Sequence, residues 1–265
     1  SNRPVVCIVK IYEGHFKMVT SNLLFGDCLE LLKDLEDASI DMLMVDLPYG
    51  TTACSWDSVI PLDLLWEQYN RVCKKNAAMV FTCQQPFTTS LAASNLKNLK
   101  YEWIWEKPQG TNPMSAKYMP LKSHENVLVF ARATPTYNPQ MEKGKPYSGF
   151  KSDSAKIGEV YGSGQSKHRD NPEGSRYPKT VQRWKQEKGY HPTQKPVVMM
   201  EYLIKTYTNE GDVVLDNTMG SGTTGVACVR NNRNFVGMES DKKYFDICQK
   251  RITAELDKGH LLDFF

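Results

Sequence analysis

Residues 40–50, Ile40-Asp41-Met42-Leu43-Met44-Val45-Asp46-Leu47-Pro48-Tyr49-Gly50, run from a mainly apolar stretch into a carboxylate, a proline and an aromatic ring. The apolar part has the pattern of a strand buried in a parallel sheet. A plain strand-to-turn exit accounts for the rest, because Pro48 stops the ladder and Gly50 turns the chain. The same residues also suit a planar base. The Asp46 carboxylate and the carbonyls leading into Pro48 can accept hydrogen bonds from an exocyclic amine, while Tyr49 stacks on the ring. The sequence on either side of this stretch has to decide.

Working outward, short β-rich runs alternate with helical periodicity from Asn22 to Arg132. Strands are expected at 23–26, 40–45, 77–82, 101–105 and 126–131, and helices at 28–35, 62–74 and 87–96. After Tyr190 the alternation resumes, with helices over 196–208, 223–230 and 241–256 and strands over 211–216 and 234–239. Strands alternating with helices of this length argue for βαβ units and a parallel sheet. The expectation is an α/β, doubly wound, mostly parallel seven-stranded sheet with helices on both faces.

Between the two halves the pattern breaks. Residues 132–190 hold seven of the 17 glycines and carry 12 Lys/Arg against 6 Asp/Glu, so the remainder of the chain is net acidic although the whole is +3. Seven aromatics lie among these charges: Tyr137, Tyr147, Phe150, Tyr161, Tyr177, Trp184 and Tyr190. A solvated linker is one reading, but its aromatic content argues against plain disorder. Cations interleaved with rings suit phosphate neutralisation and contact with unstacked bases.

A second loop bears on the cofactor. Gly220-Ser221-Gly222-Thr223-Thr224-Gly225 fits G-x-G-x-x-G, follows a strand and opens a helix. Glu239 closes the next strand, where an acid can meet ribose hydroxyls. A tight turn, or NAD or FAD, would fit the motif alone. Asp216, however, stands four residues before the first glycine, where a pyrophosphate would be repelled and the cation of S-adenosylmethionine favoured. No Gly-Lys-Ser/Thr follows, which excludes a phosphate-cradling nucleotide loop.

Asp46-Leu47-Pro48-Tyr49 followed far downstream by Asp216-Asn217-Thr218-Met219-Gly220-Ser221-Gly222-Thr223-Thr224 resembles the amino-group DNA methyltransferases, adenine-N6 and cytosine-N4. Catalytic motif first and cofactor motif last is similar to their circularly permuted β subclass. Gly26-Asp27-Cys28, His124-Glu125-Asn126-Val127-Leu128-Val129-Phe130 and His191-Pro192-Thr193-Gln194-Lys195-Pro196 resemble further segments of the family in the same order. The resemblance implies S-adenosylmethionine as cofactor and duplex DNA as partner, with N6 of a flipped adenine as acceptor. It divides the chain into a catalytic half (22–131), a target-recognition insertion (132–190) and a cofactor-binding half (191–265).

The resemblance also implies roles. Asp46, Leu47, Pro48 and Tyr49 would hold the base, Asp46 at the same time facing the cofactor. Asp27, with Cys28 beside it, would meet the adenine end of the cofactor, Glu239 its ribose, and Lys195 its methionine carboxylate. Asp216, Thr218, Gly220, Ser221, Gly222 and Thr223 would surround the methionine part. Two departures stand out: Leu47 replaces the usual Pro, and Asn217-Thr218 replaces Pro-Phe, removing a ring expected on the cofactor. No metal is needed. A homodimer and a cognate restriction endonuclease are partners left open by the sequence.

Other classes are weighed on the same residues. Cytosine-N4 transfer is the near alternative; RNA or a protein glutamine as acceptor is more distant. A silent specificity subunit or a nicotinamide oxidoreductase would share only the fold. The seven cysteines show no C-x-x-C spacing, so reduced thiols are expected, with neither disulfides nor zinc. No apolar run approaches the roughly 18 residues of a membrane span, and the first residues lack the pattern of a secretory leader, so a cytoplasmic protein is expected. His15, His124, His168 and His260 have no partner at ligand or triad spacing. Trp103 and Trp105 alternate with Ile104 on a strand, so one face should be core and the other should line the cleft, and Gln84-Gln85-Pro86 should lie near the active edge.

Overall fold

The structure, a computed structural model, describes residues 5–11, 18–50, 58–150, 168–187, 189–190 and 194–261. His15, Cys54, Tyr161 and His191-Pro192-Thr193 lie outside the described residues, as do the side chains of Cys7, Phe150, His168 and His260.

The β-rich runs of the sequence become strands. In the first half these are β1 (Val5–Ile11), β2 (Met18–Phe25), β3 (Ile40–Val45), β4 (Cys73–Cys83), β5 (Leu99–Thr111) and β6 (Lys122–Phe130). Between them lie helices α1 (Cys28–Leu32), α2 (Leu62–Val72) and α3 (Phe87–Ser94). The intervening segment supplies the short strands β7 (Glu142–Lys143), β8 (Tyr147–Phe150), β9 (His168–Asn171), β10 (Ser175–Arg176) and β11 (Val181–Arg183). The last part forms α4 (Val197–Tyr207), β12 (Val213–Asp216), α5 (Thr223–Arg230), β13 (Asn234–Glu239) and α6 (Lys242–Leu261).

The large sheet runs β1-β2-β13-β12-β3-β4-β6-β5-β11, with only β1 and β6 reversed against the rest. It has nine strands among the described residues, two more than the seven expected. Both additions are edges. β1 precedes the stretch in which the alternation was recognised, and β11 is a three-residue Val-Gln-Arg ladder on β5 whose outer positions are exposed. Backbone pairing and an Arg183–Glu106 ion pair recruit β11, and neither leaves a hydrophobic signal.

Residue alternation explains why two helical layers form. Met42 and Met44 of β3 pack with Leu203 and Ile204 of α4, Val226 of α5 and Ile252 of α6. Leu43 and Val45 of the same strand pack on the opposite face with Leu32 of α1, Leu65 and Tyr69 of α2 and Leu91 of α3. Each large side chain buried as fully as Phe81 or Leu203 stabilises the fold by about 1.5–3 kcal/mol relative to exposure. The longest helix, α6, starts where expected: Asp241 accepts hydrogen bonds from the Lys243 and Tyr244 amides. Pro196 is the cap of α4 and not its first-turn residue. No described helix is long and apolar enough to cross a membrane.

Residues 139–179 form a second compact unit, narrower than the 132–190 span set by composition, while residues 132–138 and 180–190 belong to the main unit. The chain leaves the main unit at Asn138, whose backbone amide and side chain bond to carbonyls at the end of α4. Within the second unit, β7 pairs with β10 and β8 with β9, both antiparallel. Gly174 holds φ +67° there, and a Cβ on it would come within 2.1 Å of the Gly144 carbonyl oxygen. Arg176 lies over the Tyr147 ring at 4.7 Å.

Candidate cofactor and catalytic site

β2, β13, β12 and β3 are neighbouring parallel strands, so their carboxyl ends share one edge of the sheet. Gly26-Asp27 follows β2, Glu239 closes β13, Asp216 closes β12 and Asp46 follows β3. Open α/β sheets bind ligands at this edge. A cleft of about 740 Å³ opens there, lined among others by Asp27, Asp46, Lys195, Asp216, Gly220 and Glu239. Cys28, Leu47, Pro48, Tyr49, Thr218, Ser221 and Thr223 also line it, whereas Gly222 does not.

The glycine loop is held by its own acids. Gly220 and Gly222 adopt φ +52° and +82°, the left-handed region in which glycine is unstrained. Glu239 accepts the Gly220 amide at 2.9 Å on one oxygen and the Asp241 amide at 2.8 Å on the other. Its role in the fold is therefore to tie the loop to the next strand, in addition to the ribose contact expected of it. Burial raises its pKa, opposed by these amides. Arg251 of α6 donates to the Ser221 carbonyl and hydroxyl. Asp27 caps α1 through the Leu29 amide, and burial raises the Cys28 thiol above its ordinary range.

Asp216 is the most unusual group. It is buried, accepting among the described residues only the Thr224 hydroxyl (2.6 Å) and the Thr218 amide (3.1 Å), and burial pushes its pKa up to about 7. A carboxyl whose pKa is higher folded than unfolded stabilises the fold below its unfolded pKa and loses that contribution as pH rises through the folded one. The free protein should lose stability between about pH 4 and pH 7 on this account. Replacing Asp216 by Asn removes the group. The fall in Tm between pH 5 and pH 7.5 should then shrink by roughly 5 °C. Thermal unfolding of both proteins across that range checks this, and parallel curves would refute it.

Asp46 stands at the centre of a charged chain. One of its oxygens accepts the Tyr49 hydroxyl (2.6 Å) and the Thr82 hydroxyl (2.5 Å); the other accepts the Lys195 ammonium (2.6 Å). Lys195 also lies 3.6 Å from Glu125, which in turn pairs with Lys107 at 2.5 Å. Lys195, Glu125 and Lys107 are buried. Burial works to lower the Lys195 pKa, but Asp46 and Glu125 beside it outweigh burial and hold it above its ordinary value. Burial, followed by the Asp46 and Glu125 charges, pushes the Tyr49 phenol well above its usual range, so it stays a neutral donor. One face of the Tyr49 ring is covered by Phe87, with centroids 5.3 Å apart.

The two motifs meet directly. Thr218 of the glycine loop donates its hydroxyl to the Asp46 carbonyl at 3.1 Å, across 172 residues of sequence. Asn217, which stands where a ring was expected to follow, accepts the Tyr69 hydroxyl, and its side chain also bears on the Cys28 thiol. Sequence reading missed Thr82, Glu125 and Lys107. Glu125 lay within a quoted segment, but its partners come from β5 and from the stretch before α4. Trp103 and Trp105 are buried on one face of their strand with Lys107, and this same face reaches the cleft through Trp105 and Lys107, whereas Ile104 on the other face does not line it. Gln84 lines the cleft as expected.

A mostly parallel sheet of this order, with acids closing successive strands around a glycine loop, defines a class I S-adenosylmethionine-dependent methyltransferase. The sequence profile of the DNA methylase family matches residues 40–250, and the chain belongs to that family. It is 30% identical to the Type II methyltransferase M2.DpnII of Streptococcus pneumoniae, over 94% of this chain and 95% of that one. The DNA adenine methyltransferase YhdJ of Escherichia coli K12 is 26% identical, over 88% and 82%. A crystal structure of the M1.HpyAVI–SAM complex superposes with a TM-score of 0.61 at 27% identity, over 87% of this chain and 99% of that one.

Proposed function

We propose that this protein transfers the methyl group of S-adenosylmethionine to N6 of an adenine turned out of duplex DNA. The observation that carries the reading is the Asp46–Tyr49 pair at the end of β3, joined through Thr218 to the glycine loop. The cofactor supplies an electrophilic methyl group beside a positive charge. Asp216 fits that charge: a buried carboxyl with a pKa of about 7 and no cation paired to it among the described residues is the group a sulfonium or ammonium would stabilise. Asp27, Cys28 and Glu239 would hold the nucleoside, and Thr218, Gly220, Ser221, Thr223 and the backbone at Gly222 the methionine end.

The exocyclic amine of adenine is conjugated into its ring and is a poor nucleophile. Asp46 can accept one of its N–H groups and the Leu47 or Pro48 carbonyl the other, which localises the nitrogen lone pair. A carboxylate has about four acceptor sites. Three of those on Asp46 are taken in this structure, and the bond to Lys195 can pass to Glu125 as the amine arrives. The rest is positioning, with Asp46 stabilising the positive charge that develops on nitrogen. Tyr49, with Phe87 on one face and the Lys195 ammonium 5.8 Å from its ring centre, would offer its ring to a base whose unstacking must be offset.

On this reading the basic, aromatic segment 132–190, with its compact unit at 139–179, reads the target sequence, and the protein works in the cytoplasm. A cognate restriction endonuclease suits the Type II naming of the relatives, and a second copy of the chain is a partner to be checked by sedimentation. The test is incubation with methyl-labelled S-adenosylmethionine and mixed-sequence duplex DNA, followed by digestion to nucleosides. Label should run with N6-methyladenine deoxynucleoside. Label in N4-methylcytosine would keep the mechanism and overturn the base; cofactor binding without label in DNA would overturn the reading.

A further inference from the structure

β5 and β6 outrun the sheet. β4 ends at Cys83, which pairs with Asn126 of β6, yet β6 begins four residues earlier at Lys122 and β5 continues to Thr111. The β5–β6 hairpin therefore extends roughly 13 Å beyond the end of β4, at the edge where the cleft opens. Trp105, Lys107 and Thr111 of the same hairpin line that cleft.

Its tip is built, not slack. Asn112 takes a left-handed φ of +67°, Pro113–Ser115 forms a 3₁₀ turn, and the Tyr118 and Met119 amides both donate to the Ser115 carbonyl. The Thr111 hydroxyl donates to the Lys122 carbonyl, closing the base of the tip. What this frame presents is apolar: Met114 is 93% exposed and Tyr118 86%, with Met119 and Leu121 about half exposed. Four large apolar side chains grouped on one turn of a soluble chain mark a contact surface. From Pro108 to His124 the segment has two lysines, Lys117 and Lys122, and no acid.

We propose that this hairpin tip enters duplex DNA at the step from which the target base is withdrawn, Met114 and Tyr118 filling the stack while Lys117 and Lys122 meet the flanking phosphates. The proposal rests on the methyl-transfer reading above and adds the group that opens the duplex. A base turned into the cleft leaves unstacked neighbours, which costs a few kcal/mol, and apolar wedges are the side chains that offset such a cost. The cations and the missing acids match a phosphate backbone. Continuity with the cleft places the tip where a withdrawn base would leave its gap.

The test is the variant Met114→Ser/Tyr118→Ser, whose exposure makes misfolding no explanation for its effects. Its kcat/KM is compared with that of the unaltered protein on two duplexes carrying the methylated site: one fully paired, one with the target adenine mispaired and so already loosened. The expected result is a loss of roughly 10- to 100-fold on the paired duplex, largely recovered on the mispaired one, with cofactor affinity unchanged. Equal losses on both duplexes, or none, would overturn the proposal. Equal losses accompanied by dissociation in sedimentation would instead assign the tip to contact with a second copy. Absence of DNA methylation by the unaltered protein would remove the functional reading itself, a failure seen before any variant is made.

Discussion

Asp46→Asn is expected to lower single-turnover methyl transfer by at least about 10³-fold while leaving cofactor affinity within about threefold. Asn keeps the shape of the side chain. Its amide oxygen can still accept from Lys195, and its NH₂ can donate to the Tyr49 and Thr82 hydroxyls, which reverse to become acceptors. Only the negative charge and its acceptor sites for the amine are lost, and those are the features used as charge develops on nitrogen. Asp46→Ala is the poorer probe, since it would leave the buried Lys195 with Glu125 alone at 3.6 Å. Calorimetric cofactor binding beside rapid-quench transfer separates the outcomes. Affinity falling in step with turnover would show that Asp46 serves the cofactor and not the base.

The second large effect is expected at Gly222, and it acts through the fold. Gly222 combines φ +82° with a contact that leaves no room: a Cβ there would lie 2.5 Å from the Cys248 sulfur and 3.2 Å from the Cys248 Cα. Gly222→Ala must either shift α6 away from the loop or distort the loop. The cost should be about 2–4 kcal/mol of stability, with cofactor affinity reduced at least about tenfold because Gly220 and Ser221 move with it. Adding Cys248→Ala removes the sulfur but not the backbone strain, so it should restore only part of the loss. Denaturant unfolding of the two variants measures both contributions, and an unchanged midpoint for Gly222→Ala would sink the argument.

How much of this was legible depends on where the signal lies. β3 could be read because both its faces are buried: Met42 and Met44 serve one layer and Leu43 and Val45 the other, leaving an unbroken apolar run. Asp46, Asp216 and Glu239 stood out because each acid ends such a run. β11 was invisible because its three residues, two of them exposed, join β5 through backbone pairing and one ion pair, with no apolar pattern. The link between Asp46 and Lys195 spans 149 positions and depends on α4 being delivered beside β3, which no local pattern encodes. Thr82 gave no signal at all, since a threonine at a strand end is ordinary. Glu239 was assigned its place correctly, but its two backbone bonds follow from loop geometry that glycine spacing only hints at.

The strand order has a bearing on how the molecule is made. β2 and β3 come from the first fifth of the chain, yet they never touch; β13 and β12, from its last fifth, are slotted between them. A nascent chain that has emerged only as far as β11 therefore holds two strand edges that nothing yet closes. The central ladder can zip only after residues 213–239 leave the ribosome, so the sheet cannot be complete before then. Early termination anywhere before β13 leaves open β-edges of the kind that aggregate, and not a smaller working domain.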